Sequence, residues 1–150
     1  FTGQAAARWL QKGTDILTRE IPEQILPDGM HFERSPMYHV RMTYLFKLLR
    51  DTGCPELCRQ VDEPLSRMKT ALAHVCHPDG QIALFNDSAF GVYNHPGDLI
   101  DADASPGPWA LPDAGYYGWR GEDGTYIICD AGAIGPGYIP GHAHGDIFSF

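Results

Sequence analysis

The sequence is short of positive charge, of paired cysteines and of long apolar runs, and each shortage removes a class of protein. Eleven Lys and Arg stand against 19 Asp and Glu, for a net charge of −8 with histidine neutral. A nucleic-acid footprint needs a basic face, so this balance argues against one. A local cluster of Arg and His is still enough to hold an acidic ligand. No apolar run reaches membrane-spanning length. The four cysteines, Cys54, Cys58, Cys76 and Cys129, form no CxxC pair. Cys54 and Cys58 share a helix face at i,i+4 and could approach a metal, but buried free thiols are the plainer reading. Disulfides, and with them the redox compartment, stay open. What is present is ordinary for a folded domain: 150 residues, 43% hydrophobic and 20% charged.

Both ends read as cuts. Phe1 leads straight into a helical pattern, and Ile147-Phe148-Ser149-Phe150 is an apolar strand with no partner in the sequence. The expectation is an internal segment of a larger protein, so the lack of a visible leader carries no weight.

Helices come first. Trp9, Leu10, Gly13, Ile16 and Leu17 fall on one face of a helix over residues 4 to 21. Asp28-Gly29 marks a turn. Ser35-Pro36 opens the next helix, serine as N-cap and proline at the first helical position, with Met37, Val40, Tyr44, Leu45 and Leu48 as its apolar stripe. A third helical region runs through Leu57, Val61, Leu65, Met68, Leu72 and Val75, where Pro64 either kinks the helix or opens a new one. His77-Pro78-Asp79-Gly80 ends it. From Ile82 to Ala114 the chain is rich in Pro, Gly and Asp and reads as an irregular connection. Strands are expected from Gly115, with Tyr116–Trp119 and Tyr126–Cys129 flanking a hairpin turn at Gly121-Glu122-Asp123-Gly124. Helices followed by strands give an α+β chain of two layers or two domains.

Two constellations carry chemistry. In Gly141-His142-Ala143-His144-Gly145-Asp146, alternate residues of a regular strand would project His142, His144 and Asp146 to one face. Imidazoles titrate near neutrality and are common metal ligands. The other constellation is His31-Phe32-Glu33-Arg34-Ser35-Pro36-Met37-Tyr38-His39, crowded at a helix N-terminus that favours anions. Arg34 there would lower the Tyr38 pKa, whereas burial would raise it. A capping motif with a neighbouring ion pair explains the second cluster about as well.

The string from Glu23 to His39, His77-Pro78-Asp79-Gly80 with Phe85-Asn86-Asp87-Ser88, and Asp130-Ala131-Gly132 leading to Pro140–Asp146 together resemble the heparinase II/III family of polysaccharide lyases. The resemblance implies an α/α toroid followed by an antiparallel β-sandwich domain. Residues 1–80 would then be the last toroid helices, 81–114 an inter-domain connection and 115–150 the first strands of the sandwich. It also implies cleavage of a uronate polysaccharide by β-elimination. Tyr38 matches the family tyrosine that serves as general acid, and in some cases as base. His142 matches the first histidine of a His-x-His pair that acts as base or charge stabiliser. His144 matches the second, a structural zinc ligand in some members. One histidine is not a zinc site, so the remaining ligands would lie beyond Phe150. Asp146 would instead orient a histidine through its ring N–H.

Glu33, Arg34, Asn86 and Asp87 are the candidate substrate-binding residues. A structural ion pair and Asx turns are the competing explanations for them. Trp119, Tyr116 and Tyr117 are candidates for sugar stacking or for the strand core. The Asn or His that neutralises the uronate carboxylate would precede Phe1, so the segment alone is expected to be inactive and poorly folded. The implied partner is an acidic polysaccharide, with no nucleic acid and no membrane span. The few basic residues favour an unsulfated polymer. The implied setting is a bacterial periplasmic or secreted enzyme. Two other functions stay open: a metal-assisted hydrolase using His142, His144 and Asp146, and a non-catalytic carbohydrate-binding protein of the same fold. Endo or exo action and oligomeric state are not legible.

Overall fold

In the computed structural model, residues 2–102, 104–138, 141, 142, 144, 149 and 150 are described. Three helices, α1 (Gln4–Gln24), α2 (Pro36–Asp51) and α3 (Pro55–His74), precede three strands, β1 (Gly107–Leu111), β2 (Tyr116–Arg120) and β3 (Tyr126–Asp130). The strands form an antiparallel sheet in the order β1-β2-β3. The Gly121–Gly124 hairpin turn lies where its glycines predict it, closed by the Gly121 N–H donating to the Thr125 carbonyl at 2.7 Å.

Helices α2 and α3 bury their stripes as the sequence requires. Val61, Leu65 and Met68 of α3 pack with Ile25 and Phe46 in one cluster. A larger cluster joins Met37, Val40, Leu72 and Val75 to Trp109, Leu111, Tyr116 and Ile128 of the sheet. The helical layer and the sheet therefore share a core. Pro64 sits inside α3, which runs unbroken past it.

The helix expected over residues 4 to 21 is α1; none of its residues is buried, and Trp9 is 68% exposed. Two expectations are corrected. Strands begin before Gly115, because β1 occupies the end of the stretch taken as irregular. Trp109 and Leu111 alternate inward there, and among the described residues β1 is the edge strand, where Pro108 need not donate to a neighbour. Ser35 is the N-cap residue of α2 but makes no side-chain cap bond. Its hydroxyl lies 3.2 Å from that of Ser88, and the Ser88 hydroxyl accepts from the Met37 N–H at 3.1 Å. The cap thus comes from a distant loop, and it brings residues 86–88 against the first turn of α2.

Polar ties fix the two layers. The Asp28 carboxylate accepts from the Ala114 N–H at 2.8 Å. The Tyr126 hydroxyl donates to the His74 carbonyl at 2.7 Å, and Arg120 to the Cys76 carbonyl at 2.6 Å. The turn before α2 depends on Gly29, at φ +92°, where a Cβ would lie 2.4 Å from the Arg67 carbonyl oxygen. Gly29→Ala is expected to destabilise the protein by about 1–3 kcal/mol from backbone strain alone. Urea unfolding of the full-length protein measures this, and an unchanged midpoint would contradict it.

His39 is wholly buried. One ring nitrogen, Nδ1, accepts from the His31 N–H at 3.2 Å, so Nε2 carries the proton and donates to the Met68 carbonyl at 2.9 Å. Burial lowers its pKa from 6.5 to about 4, with the Met68 bond opposing. The unfolded chain therefore takes up this proton below pH 6.5, and the folded one not until about pH 4. Stability is full above that window and is lost as pH falls through it, by about 3 kcal/mol from this group. Denaturant midpoints of the full-length protein across the window should show the loss, and His39→Gln should flatten it.

Candidate active site

The trans cap explains how the site assembles. Ser88 on the α2 N-terminus carries Asp87 to the side of Tyr38, which lies in the first turn of that helix. Asn86 precedes it at φ 56°, a left-handed conformation that Asn tolerates. Its side-chain amide donates to the Arg34 carbonyl at 3.0 Å and to the Tyr116 hydroxyl at 3.2 Å. The Tyr116 hydroxyl in turn donates to the same carbonyl at 2.6 Å. Arg34 itself holds φ 58°, and these contacts over-determine that conformation.

His142 enters from the far end of the chain. Its Nδ1 lies 2.7 Å from Asp87 Oδ2, and its ring stacks on Tyr38 with centroids 3.9 Å apart and planes tilted by 34°. His142 Nε2 lies 3.8 Å from Glu33 Oε2, which is also 3.8 Å from His31 Nδ1. Tyr38, His142, Asp87 and Glu33 thus form one cluster drawn from three separate stretches of sequence. The other Asp87 oxygen, Oδ1, is buried without a hydrogen-bond partner among the described residues.

The electrostatics follow from burial and from two carboxylates. Burial raises the Tyr38 phenol, with Asp87, Tyr93 and Glu33 pushing the same way. Of the two opposed effects read from the sequence, burial prevails, and Arg34 does not lower the phenol. The Arg34 guanidinium points to the sheet, donating to the carbonyls of Ala133 at 2.9 Å and Asp113 at 3.2 Å. Burial likewise raises Glu33, His142 opposing and Asp87 adding to it. His31 falls to about 3, from burial first and then from the charges of His39 and His142.

The other candidates are placed as follows. His142 stands in a turn rather than a strand. His144 is exposed, its backbone N–H 3.4 Å from the Asn86 side-chain oxygen. Asp146 lies outside the described residues. Among the described residues no three His, Cys, Asp or Glu side chains converge to hold a metal. Tyr116 is buried, whereas Tyr117 and Trp119 are exposed on the sheet. Beyond Tyr38, Tyr93 borders a cleft of about 330 Å³ that also takes in Met37, Gln81, Phe90 and Asn94. Sequence reasoning missed Tyr93. Its ring lies 6.0 Å from that of Tyr38, and no local motif marks it.

A helical layer docked on an antiparallel sheet, with a tyrosine–histidine pair at the junction, is the architecture of a toroid end joined to the start of a β-sandwich domain. The chain belongs to the heparinase II/III family: residues 3–95 match the heparinase II/III N-terminus, and residues 103–150 match the heparinase II/III-like C-terminal family. It is 34% identical to a heparin-sulfate lyase of Pedobacter heparinus over 88 residues, which cover 54% of this chain and 13% of that protein. A heparin-sulfate lyase of Bacteroides stercoris is 32% identical over 88 residues, 55% of this chain and 13% of the relative. Among solved structures, a heparinase III gene product superposes with TM-score 0.75 at 23% identity, over 97% of this chain and 27% of the other. A heparan sulfate lyase from Pedobacter heparinus gives TM-score 0.71 at 24% identity, with the same coverage of 97% and 27%. The α+β fold class expected from the sequence is therefore correct, and the chain spans only a minor part of the relatives it matches.

Proposed function

We propose that the protein carrying this chain is a polysaccharide lyase that cleaves a uronate-containing glycosaminoglycan of the heparan sulfate type by β-elimination. The observation that carries this reading is the stacked Tyr38–His142 pair with Asp87 on Nδ1 of the histidine. The names of the relatives support the substrate class.

In this reaction a base removes the C5 proton of the uronate. The C5–H electron pair forms the C4=C5 double bond as the C4–O4 bond breaks, and O4 takes a proton from an acid. His142 is suited to be the base. Asp87 accepts from Nδ1–H, so Nε2 faces the site unprotonated, and the same carboxylate steadies the imidazolium that results. Tyr38 is suited to be the acid, because burial keeps its phenol protonated and able to donate to the leaving oxygen. Glu33 stands beside this pair, its carboxyl held above the ordinary range by burial. Neutralisation of the uronate carboxylate lets charge spread as C5 loses its proton, and donors aimed at that charge are commonly a large catalytic term. A structural zinc at His144 would need ligands from outside the described residues.

The test is near-ultraviolet absorbance of uronate polysaccharides incubated with the full-length protein. A rise marks the unsaturated product. New reducing ends without a rise would support a hydrolase instead, and binding without either signal a carbohydrate-binding protein.

A further inference from the structure

An acidic polymer approaching Tyr38 meets the carboxylates of Glu33 and Asp87, so the cleft needs a cation to offset them. Most cations nearby are engaged. Arg34 and Arg120 donate to backbone carbonyls, and Lys69 pairs with Asp101 at 2.8 Å. Arg41 differs. It lies on α2 three residues beyond Tyr38, on the same helix side, and it is half-buried. Its guanidinium carbon stands 5.5 Å from the Tyr93 ring centroid and 5.9 Å from that of Tyr44. It has no carboxylate within 4.0 Å and no carbonyl partner among the described residues. The two aromatic rings flank the guanidinium, and no hydrogen bond among the described residues engages its N–H donors. That is a pre-organised arrangement for a bidentate oxyanion.

We propose that Arg41, framed by Tyr44 and Tyr93, is an anion subsite of the substrate cleft and sets specificity for a sulfate or carboxylate on a sugar next to the one cleaved. Tyr93 links it to the reacting pair, since its ring also lies 6.0 Å from Tyr38. This inference rests on the lyase reading for its substrate. It departs from the expectation of an unsulfated polymer, because the cation that matters is a local one.

The test compares Arg41→Gln and Arg41→Lys with the wild-type full-length protein on heparan sulfate and on its unsulfated counterpart. The expected result is a rise in KM of about tenfold in Arg41→Gln, partly rescued in Arg41→Lys, with the loss on KM rather than kcat. A rise confined to the sulfated polymer assigns the subsite to sulfate, and an equal rise on both assigns it to the uronate carboxylate. An unchanged KM on both, or a loss wholly in kcat, would overturn the proposal. Binding of a sulfated oligosaccharide, measured directly by titration calorimetry at two salt concentrations, reads the subsite without turnover. Weakened, less salt-dependent binding in Arg41→Gln would uphold it even if wild-type protein formed no unsaturated product, which would count against the lyase reading alone.

Discussion

Tyr38→Phe should lower turnover of a uronate polysaccharide by about 10²–10⁴-fold while leaving KM close to the wild-type value. The substitution removes one hydroxyl and keeps the ring. The 3.9 Å stacking on His142 and the packing beside Tyr93 need only the ring, so the fold and the histidine's place should survive. What disappears is the proton that O4 requires as the C4–O4 bond breaks. The phenol is raised by burial, then by Asp87, Tyr93 and Glu33, so it stays protonated above the ordinary tyrosine range. An acid with a raised pKa loses its function only at still higher pH. The wild-type rate should therefore show no tyrosine-dependent fall through neutral and mildly basic pH. Absorbance of the unsaturated product, followed over pH in both proteins, measures this. Turnover in Tyr38→Phe within a few-fold of wild type would remove Tyr38 from the chemistry.

The parts of the molecule legible in the sequence were those set by local rules. The stripe from Val61 to Val75 gives α3, and Gly121–Gly124 gives the β2–β3 hairpin. β1 was hidden because Pro106-Gly107-Pro108 reads as a breaker, and only its place at the sheet edge makes those residues acceptable. Periodicity also gives α1, although it marks a face that is apolar and not what covers it. At the site, Tyr38 and His142 stood out singly by their motifs, but their contact joins residues far apart in the chain. The pairing of Asp87 with His142 crosses 55 residues and depends on Ser88 capping α2, a long-range bond that no spacing rule foresees. Arg34 shows the same limit. Beside Tyr38 in sequence, it turns to the sheet because the carbonyls of Asp113 and Ala133 lie there. Arg41 and Tyr93 belong to no motif, and only the fold brings them together.

Asp87→Asn should cost about 10²–10³-fold in kcat with little effect on KM, which separates two roles open to Asp87. If Asp87 bound substrate directly, its loss would fall on KM. The geometry instead makes it a partner of the histidine, because Oδ2 lies 2.7 Å from His142 Nδ1. A carboxylate accepts hydrogen bonds and does not donate them, so it fixes the proton on Nδ1 and leaves Nε2 unprotonated toward the site. Asparagine is nearly the same size but can present its NH₂ to Nδ1. That would favour the tautomer with the proton on Nε2, where the base must be free. It also removes the negative charge that steadies the imidazolium after proton transfer. The ring should keep its place on Tyr38, because stacking does not depend on that charge. Nitrogen NMR of the histidine ring should report an Nδ1–H tautomer in wild type and a mixture or the reverse in Asp87→Asn. Loss of rate with an unchanged tautomer would point to the lost charge alone. An unchanged rate would show that Asp87 neither orients His142 nor takes part in the reaction.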